Sequence, residues 1–179
     1  MENSVLLRTA FKLRDEGKYK EALDIFTGIA SKQENELEKA GMLLNVVNTA
    51  PNAGHVELAK NQLDAVRALL SDSSFSSFGD EYRRYHRYLV ILANLEEARI
   101  SEAEGKFQDA LDKIDTLKRD FEADLREAAF QEPYWMIERE RGFILTHLGL
   151  TESALPVLEK VDAADPHDRF TILEPVMAC

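Results

Sequence analysis

Gly17-Lys18-Tyr19-Lys20-Glu21-Ala22-Leu23-Asp24-Ile25-Phe26 recurs as Gly105-Lys106-Phe107-Gln108-Asp109-Ala110-Leu111-Asp112-Lys113-Ile114. It recurs again as Gly149-Leu150-Thr151-Glu152-Ser153-Ala154-Leu155-Pro156-Val157-Leu158. Each copy sets Ala-Leu five and six residues after a Gly and a large apolar residue nine after it. A weaker copy centres on Ala59, followed by Leu63 and Val66. Gly17 suits a helix C-cap, because glycine enters the left-handed region without a Cβ penalty. Each copy therefore reads as a turn that closes one helix and opens the next.

Apolar residues on either side keep the helical period. Val5, Leu6, Ala10 and Leu13, with Thr9, form one stripe, and Tyr19, Ala22, Leu23, Phe26 and Ile29 form the next. No two-residue alternation is sustained, so an all-α chain is expected. Pro51, Gly54, Gly79, Gly105, Pro133, Gly149 and Pro166 mark the stops. The pattern predicts helices at 2–16, 18–31, 34–50, 53–71, 80–104, 106–129, 132–148 and 151–163, and a short ninth from residue 167. Ser71 to Gly79 reads as a serine-rich loop, with Phe75 and Phe78 tucked back onto the body.

The chain has 179 residues, with 22 Lys and Arg against 33 Asp and Glu, a formal net charge of −11. That length suits one domain over 1–179. The acidic balance disfavours phosphate backbones and anionic bilayers, so neither nucleic acid nor membrane is expected as a partner. The one Cys, Cys179, excludes an internal disulfide and a cysteine metal site. Its position excludes a prenylation motif, and the first residues do not read as a signal peptide. A cytoplasmic protein is expected.

The repeated turn resembles the tetratricopeptide repeat (TPR), a helix–turn–helix unit of about 34 residues. Gly142, Gly149, Ala154, Leu158, Val161 and Pro166 match that family's spacing in the last copy, and Leu6, Ala10, Gly17, Tyr19, Ala22 and Phe26 match it in the first. Small residues let the paired helices approach, and large ones fill the groove to the next pair. The resemblance implies a right-handed superhelical solenoid of antiparallel hairpins. The units would be 3–33, 36–71, 80–129 and 132–166, with 167–179 as a partial capping helix. The repeat alanines stand at 22, 59, 110 and 154. Their uneven steps break the simple period and require unusually long helices around 80–129.

In that family the first helix of each pair lines the concave face. The carried-over positions are Leu7, Phe11 and Arg14, Leu44 and Asn48, Leu95 and Arg99, and Arg139 and Phe143. This mixture suits a peptide groove with apolar pockets and orienting polar groups. The Lys/Asn/Lys/Arg set with which chaperone-binding members clamp a terminal carboxylate is not found.

His55, His86, His147 and His167 form no metal-ligand spacing, and no phosphate loop or nucleophile elbow occurs. No catalytic residue, metal or cofactor is expected, and the chain does not read as an enzyme. The carboxylates, Glu96, Glu97, Glu102 and Glu104 among them, read as solvated helix faces. Tyr82-Arg83-Arg84-Tyr85-His86-Arg87-Tyr88 has two readings. Arg83, Arg84 and Arg87 form a basic-aromatic patch, or Tyr82, Tyr85 and Leu89 face the core while the arginines pair with acidic neighbours. The expected function is a non-enzymatic scaffold for a protein or peptide. The alternatives are the ligand-sensing part of a regulator, or a structural element self-associating through its apolar C-terminal end at Val176 and Met177.

Overall fold

Four turns set the architecture. Gly17, Gly54, Gly105 and Gly149 have φ between 74° and 83°. At each, the glycine N–H donates to the carbonyl three residues back and the next N–H to the carbonyl five back: Gly17 to Arg14 and Lys18 to Leu13, Gly105 to Glu102 and Lys106 to Ser101. The same pair of bonds joins Gly54 to Pro51 and His55 to Ala50, and Gly149 to Thr146 and Leu150 to Leu145. This closure satisfies carbonyls that a helix end leaves orphaned.

The computed structural model describes residues 2–71 and 79–164. The described elements are α1 (Glu2–Asp15), α2 (Tyr19–Ala30), α3 (Glu36–Thr49), α4 (Val56–Leu70), α5 (Asp80–Ala103), α6 (Phe107–Asp120), α7 (Glu122–Leu125), a single 3-10 turn (Ala128–Phe130), α8 (Gln131–His147) and α9 (Thr151–Ala164). There is no strand among the described residues. Phe75, Phe78, Pro166, the short helix from 167, Val176 and Met177 lie outside them.

The turns join α1 to α2, α3 to α4, α5 to α6 and α8 to α9 as hairpins, and each hairpin packs on the next. Inside a hairpin the helices meet at small residues. Ala22, Ala59, Ala110 and Ala154, each five residues after its turn glycine, are all fully buried. Facing them, seven residues before the glycine, stand Ala10, Val47, Ala98 and Gly142. The approach is tightest at Gly142, where an added Cβ would lie 2.4 Å from Leu158 Cδ2. Phe26, Leu63, Ile114 and Leu158, nine residues after the glycine, fill the space beneath and are buried. Burying each such side chain contributes roughly 1.5–3 kcal/mol.

Two sequence boundaries need correction. The fourth helix begins at Val56 rather than 53, because Gly54 is itself one of the four turns. The helix expected over 106–129 ends at Asp120. Phe121 adopts φ −114° and ψ 21°, and its ring lies 5.5 Å beneath the Arg87 guanidinium. The chain then reorganises into α7 and the 3-10 turn, which bury Leu125 and Phe130. Apolar period alone does not reveal this break, since Leu117, Phe121, Leu125 and Phe130 nearly continue it.

Helix α5 has 24 residues and joins two halves of the core. Leu89, Ala93 and Ile100 belong to the cluster around Phe26 and Val47. Ile91, Leu95 and Ala98 belong to the cluster around Ile114 and Ile137. Asn35 caps α3 by accepting from the Glu38 N–H at 3.0 Å and reaches Tyr82 of α5 at 3.1 Å.

Candidate functional site

The first helices of the four hairpins are tied together by polar side chains. Arg14 Nη1 of α1 donates to Asn48 Oδ1 of α3 at 3.3 Å. Asn48 Nδ2 donates to Glu96 Oε1 of α5 at 3.0 Å. Arg99, one turn on, donates from Nη1 to Glu96 Oε1 and from Nε to Glu140 Oε2 of α8, each at 2.6 Å. Helical spacing explains the geometry on α5, since residues three apart share a face. At the N-terminal end Arg14 also lies 5.0 Å over the Phe11 ring, which packs edge-on against Phe26 at 5.3 Å.

This ladder opens on a cavity of about 490 Å³. Asn48, Asn52, Glu96, Arg99, Glu102, Glu140, Phe107 and His147 line it, together with Pro51 and Ala103. Its volume lies within the range of small-molecule and side-chain pockets. The Phe107 and His147 rings stack at 4.7 Å and 14°, forming one aromatic wall. His147 Nε2 stands 3.6 Å from Glu102 Oε1.

The cavity charges are unequal. Burial pushes the Glu96 carboxyl up, against the pull of the Arg99 charge and hydrogen bond. Burial also works against the charge on Arg99, but Glu96 and Glu140 outweigh it and hold the guanidinium more firmly protonated than usual. Burial likewise pushes Glu140 up, yet Arg99, a hydrogen bond with Glu102 and the Arg139 charge bring it below the ordinary carboxylate value. Glu102 takes the other side of that pairing. Burial and the Glu140 carboxylate push it up to about 8, opposed by Arg99. Two neighbouring carboxyl groups disfavour each other's ionisation, which holds Glu102 above and Glu140 below the ordinary carboxylate value. The site can therefore hold or release one proton and offer acceptors to a donor or cation.

Of the positions expected on the concave surface, Arg14, Asn48 and Arg99 join the ladder. Leu7 and Phe11 are half-buried on α1. Leu95 is fully buried and Leu44 nearly so, which corrects their placement on an open surface: both belong to the core. Phe143 packs with Trp135 against Leu158 and Val161. Arg139 is half-buried outside the cavity lining, and its charge acts on Glu140. Glu96 and Glu102, read as parts of solvated helix faces, are instead buried and half-buried in the site, and Glu140, Asn52, Phe107 and His147 were not expected in it. A polar series at nine, six and three residues before the turn glycine would have found Glu96 and Glu102 on α5, on either side of the expected Arg99.

The basic-aromatic stretch does not present three converging cations. Arg87 binds Asp124 bidentately at 2.8 and 2.7 Å, and Arg83 pairs with Asp80 on its own helix. Arg84 is exposed. Leu89 is buried, Tyr82 packs partly against the core, and Tyr85 stays 40% exposed while stacking on Tyr88. The pairing alternative describes most of this stretch. Among the described residues, no group of three or more His, Cys, Asp or Glu is placed to hold a metal ion. None of their helices is long and apolar enough to cross a membrane. No family model matches the sequence, and no curated sequence is significantly similar to it.

Proposed function

We propose that the chain is a TPR-like solenoid acting as a non-enzymatic scaffold, with a peptide or protein segment held along the face formed by α1, α3, α5 and α8. The observation that carries this reading is the Arg14–Asn48–Glu96–Arg99–Glu140 ladder, which spans the first helices of all four hairpins and leads into the cavity. A ladder of this kind fixes the spacing of the helices before a partner arrives, which lowers the ordering cost of binding. It also leaves Asn52, Phe107 and His147 at the cavity for the partner. Four equivalent turns, each followed by a buried alanine, support the solenoid part of the proposal. The proposed partner is a protein, in the cytoplasm, and the face needs no cofactor or metal to hold it.

The test is site-specific photo-crosslinking in living cells. A photoreactive residue replaces Asn52 at the cavity, or Asp64 on the exposed side of α4. Adducts formed from position 52 and not from 64 are expected. Equal labelling, or labelling from 64 alone, would refute the proposed face. Labelling by a small molecule instead of a polypeptide would favour the sensor reading.

A further inference from the structure

The cavity already shows what its carboxylates accept. The Arg99 guanidinium lies between Glu96 and Glu140 with both hydrogen bonds at 2.6 Å. One turn further along α5, Glu102 faces the same space, and among the described residues no Lys or Arg pairs with it. Three carboxyl groups thus stand around one guanidinium, which already bonds two of them. Beside Glu102 stand the stacked rings of Phe107 and His147, a surface that attracts a cation through its π face. Asn48 and Asn52 add neutral polar groups on the α3 side.

Resting on the peptide-binding reading above, we propose that this cavity receives the cationic head of one lysine or arginine side chain of the bound peptide, held between the Glu102–Glu140 carboxylates and the Phe107–His147 wall. Charge complementarity selects the occupant. An acidic or phosphorylated side chain would meet three carboxylates, and an apolar one would strip the Glu102–Glu140 pair of its water without replacing its hydrogen bonds. A cavity of about 490 Å³ leaves room for the side-chain stem as well as its head.

The proposal carries a proton with it. Burial and the neighbouring Glu140 carboxylate favour the protonated form of Glu102, and an entering cation would displace that proton. The charged groups that face Glu102 are Glu96 and Arg99 on its own helix, and Glu140 and His147 on α8, with Arg139 acting on Glu140. One proton released per peptide bound makes affinity rise about tenfold per pH unit below the pair's titration.

The experiment pans a random peptide display library on the intact chain, then synthesises the enriched peptides with the recurring cation kept or replaced by norleucine. We expect Lys or Arg at one position and at least a tenfold loss of affinity with norleucine. Glu102→Gln, which imitates the protonated acid, should lose the cation preference and flatten the pH slope between pH 6 and 7.5. Asp64→Asn, on the exposed side of α4 and outside the cavity, should retain both the preference and the slope. Peptides that bind equally well with norleucine would overturn this inference and leave the scaffold reading standing. Failure to enrich any peptide would overturn both. Spermidine raising the melting temperature, with loss of that effect in Glu102→Gln and no peptide enriched, would assign a free polyamine instead and overturn the peptide as occupant.

Discussion

Arg99→Met removes the one guanidinium that serves both Glu96 and Glu140. Their side chains keep 6% and 10% of their surface exposed, so water replaces the lost cation only in small part. Each carboxylate must then stay ionised without its cation or take up a proton. From the ordinary value of 4.5, protonation at pH 7 costs about 3.4 kcal/mol per group. The cost is smaller for Glu96, whose burial already pushes it up. The two groups together set a ceiling of about 7 kcal/mol, and broken buried ion pairs generally cost about 3–5 kcal/mol. We expect a loss of about 3–5 kcal/mol at pH 7. At pH 5 the protonation cost falls to about 0.7 kcal/mol per group, so the loss should shrink by at least about 2 kcal/mol. Urea unfolding at both pH values measures this. The triple variant Glu96→Gln, Arg99→Met, Glu140→Gln should recover most of the stability, because no unpaired charge remains. A pH-7 loss below about 1 kcal/mol, or an equal loss at both pH values, would refute the reasoning.

Gly142→Ala gains about 1 kcal/mol of helix propensity but drives a Cβ into Leu158, so a net loss of about 1–2 kcal/mol is expected. In a Leu158→Ala background the same change should become neutral or stabilising, and an unchanged sign in the double-variant cycle would remove the packing explanation. Ala at Gly17, Gly105 or Gly149 meets no neighbour within 4 Å, so its cost is set by backbone conformation, about 1–2 kcal/mol and similar at all three by thermal denaturation. Gly28→Ala, at an exposed position of α2 with no neighbour within 4 Å, should instead stabilise by up to about 1 kcal/mol. For Glu102 the folded value of about 8 exceeds the unfolded one near 4.5, so the folded state binds the extra proton between them. Stability from that proton is complete below about pH 4.5 and lost as pH rises through 8. The melting temperature should fall over that interval, and Glu102→Gln should reduce the fall.

The turns were legible because they rest on one-residue chemistry. Gly17, Gly105 and Gly149 each stand at a conformation that other residues resist, and the buried alanines after them follow at fixed distance. Gly54 was harder to find, since Pro51, Asn52 and His55 surround it in place of the Gly-Lys-aromatic start. The site was legible only in part, for a rotational reason. Ten residues before the turn glycines of the second and third hairpins stand Leu44 and Leu95, which the structure buries. One residue later stand Asn45 and Glu96, about 100° further round the helix. Phe11, Asn48 and Arg99 occupy the next half-buried row in register. The Glu102–Glu140 pair was not visible at all, because it joins two residues 38 apart in sequence on different helices. Only packing of α5 on α8 places them together.

Helix α5 contributes Leu89 and Ala93 to one core cluster and Ile91 and Leu95 to the other, on alternate sides of the same rod. It acts as a keystone, so melting either half withdraws support from its neighbour. Calorimetry should show one endotherm, and a fragment ending before residue 80 should remain denatured even though it contains two complete hairpins.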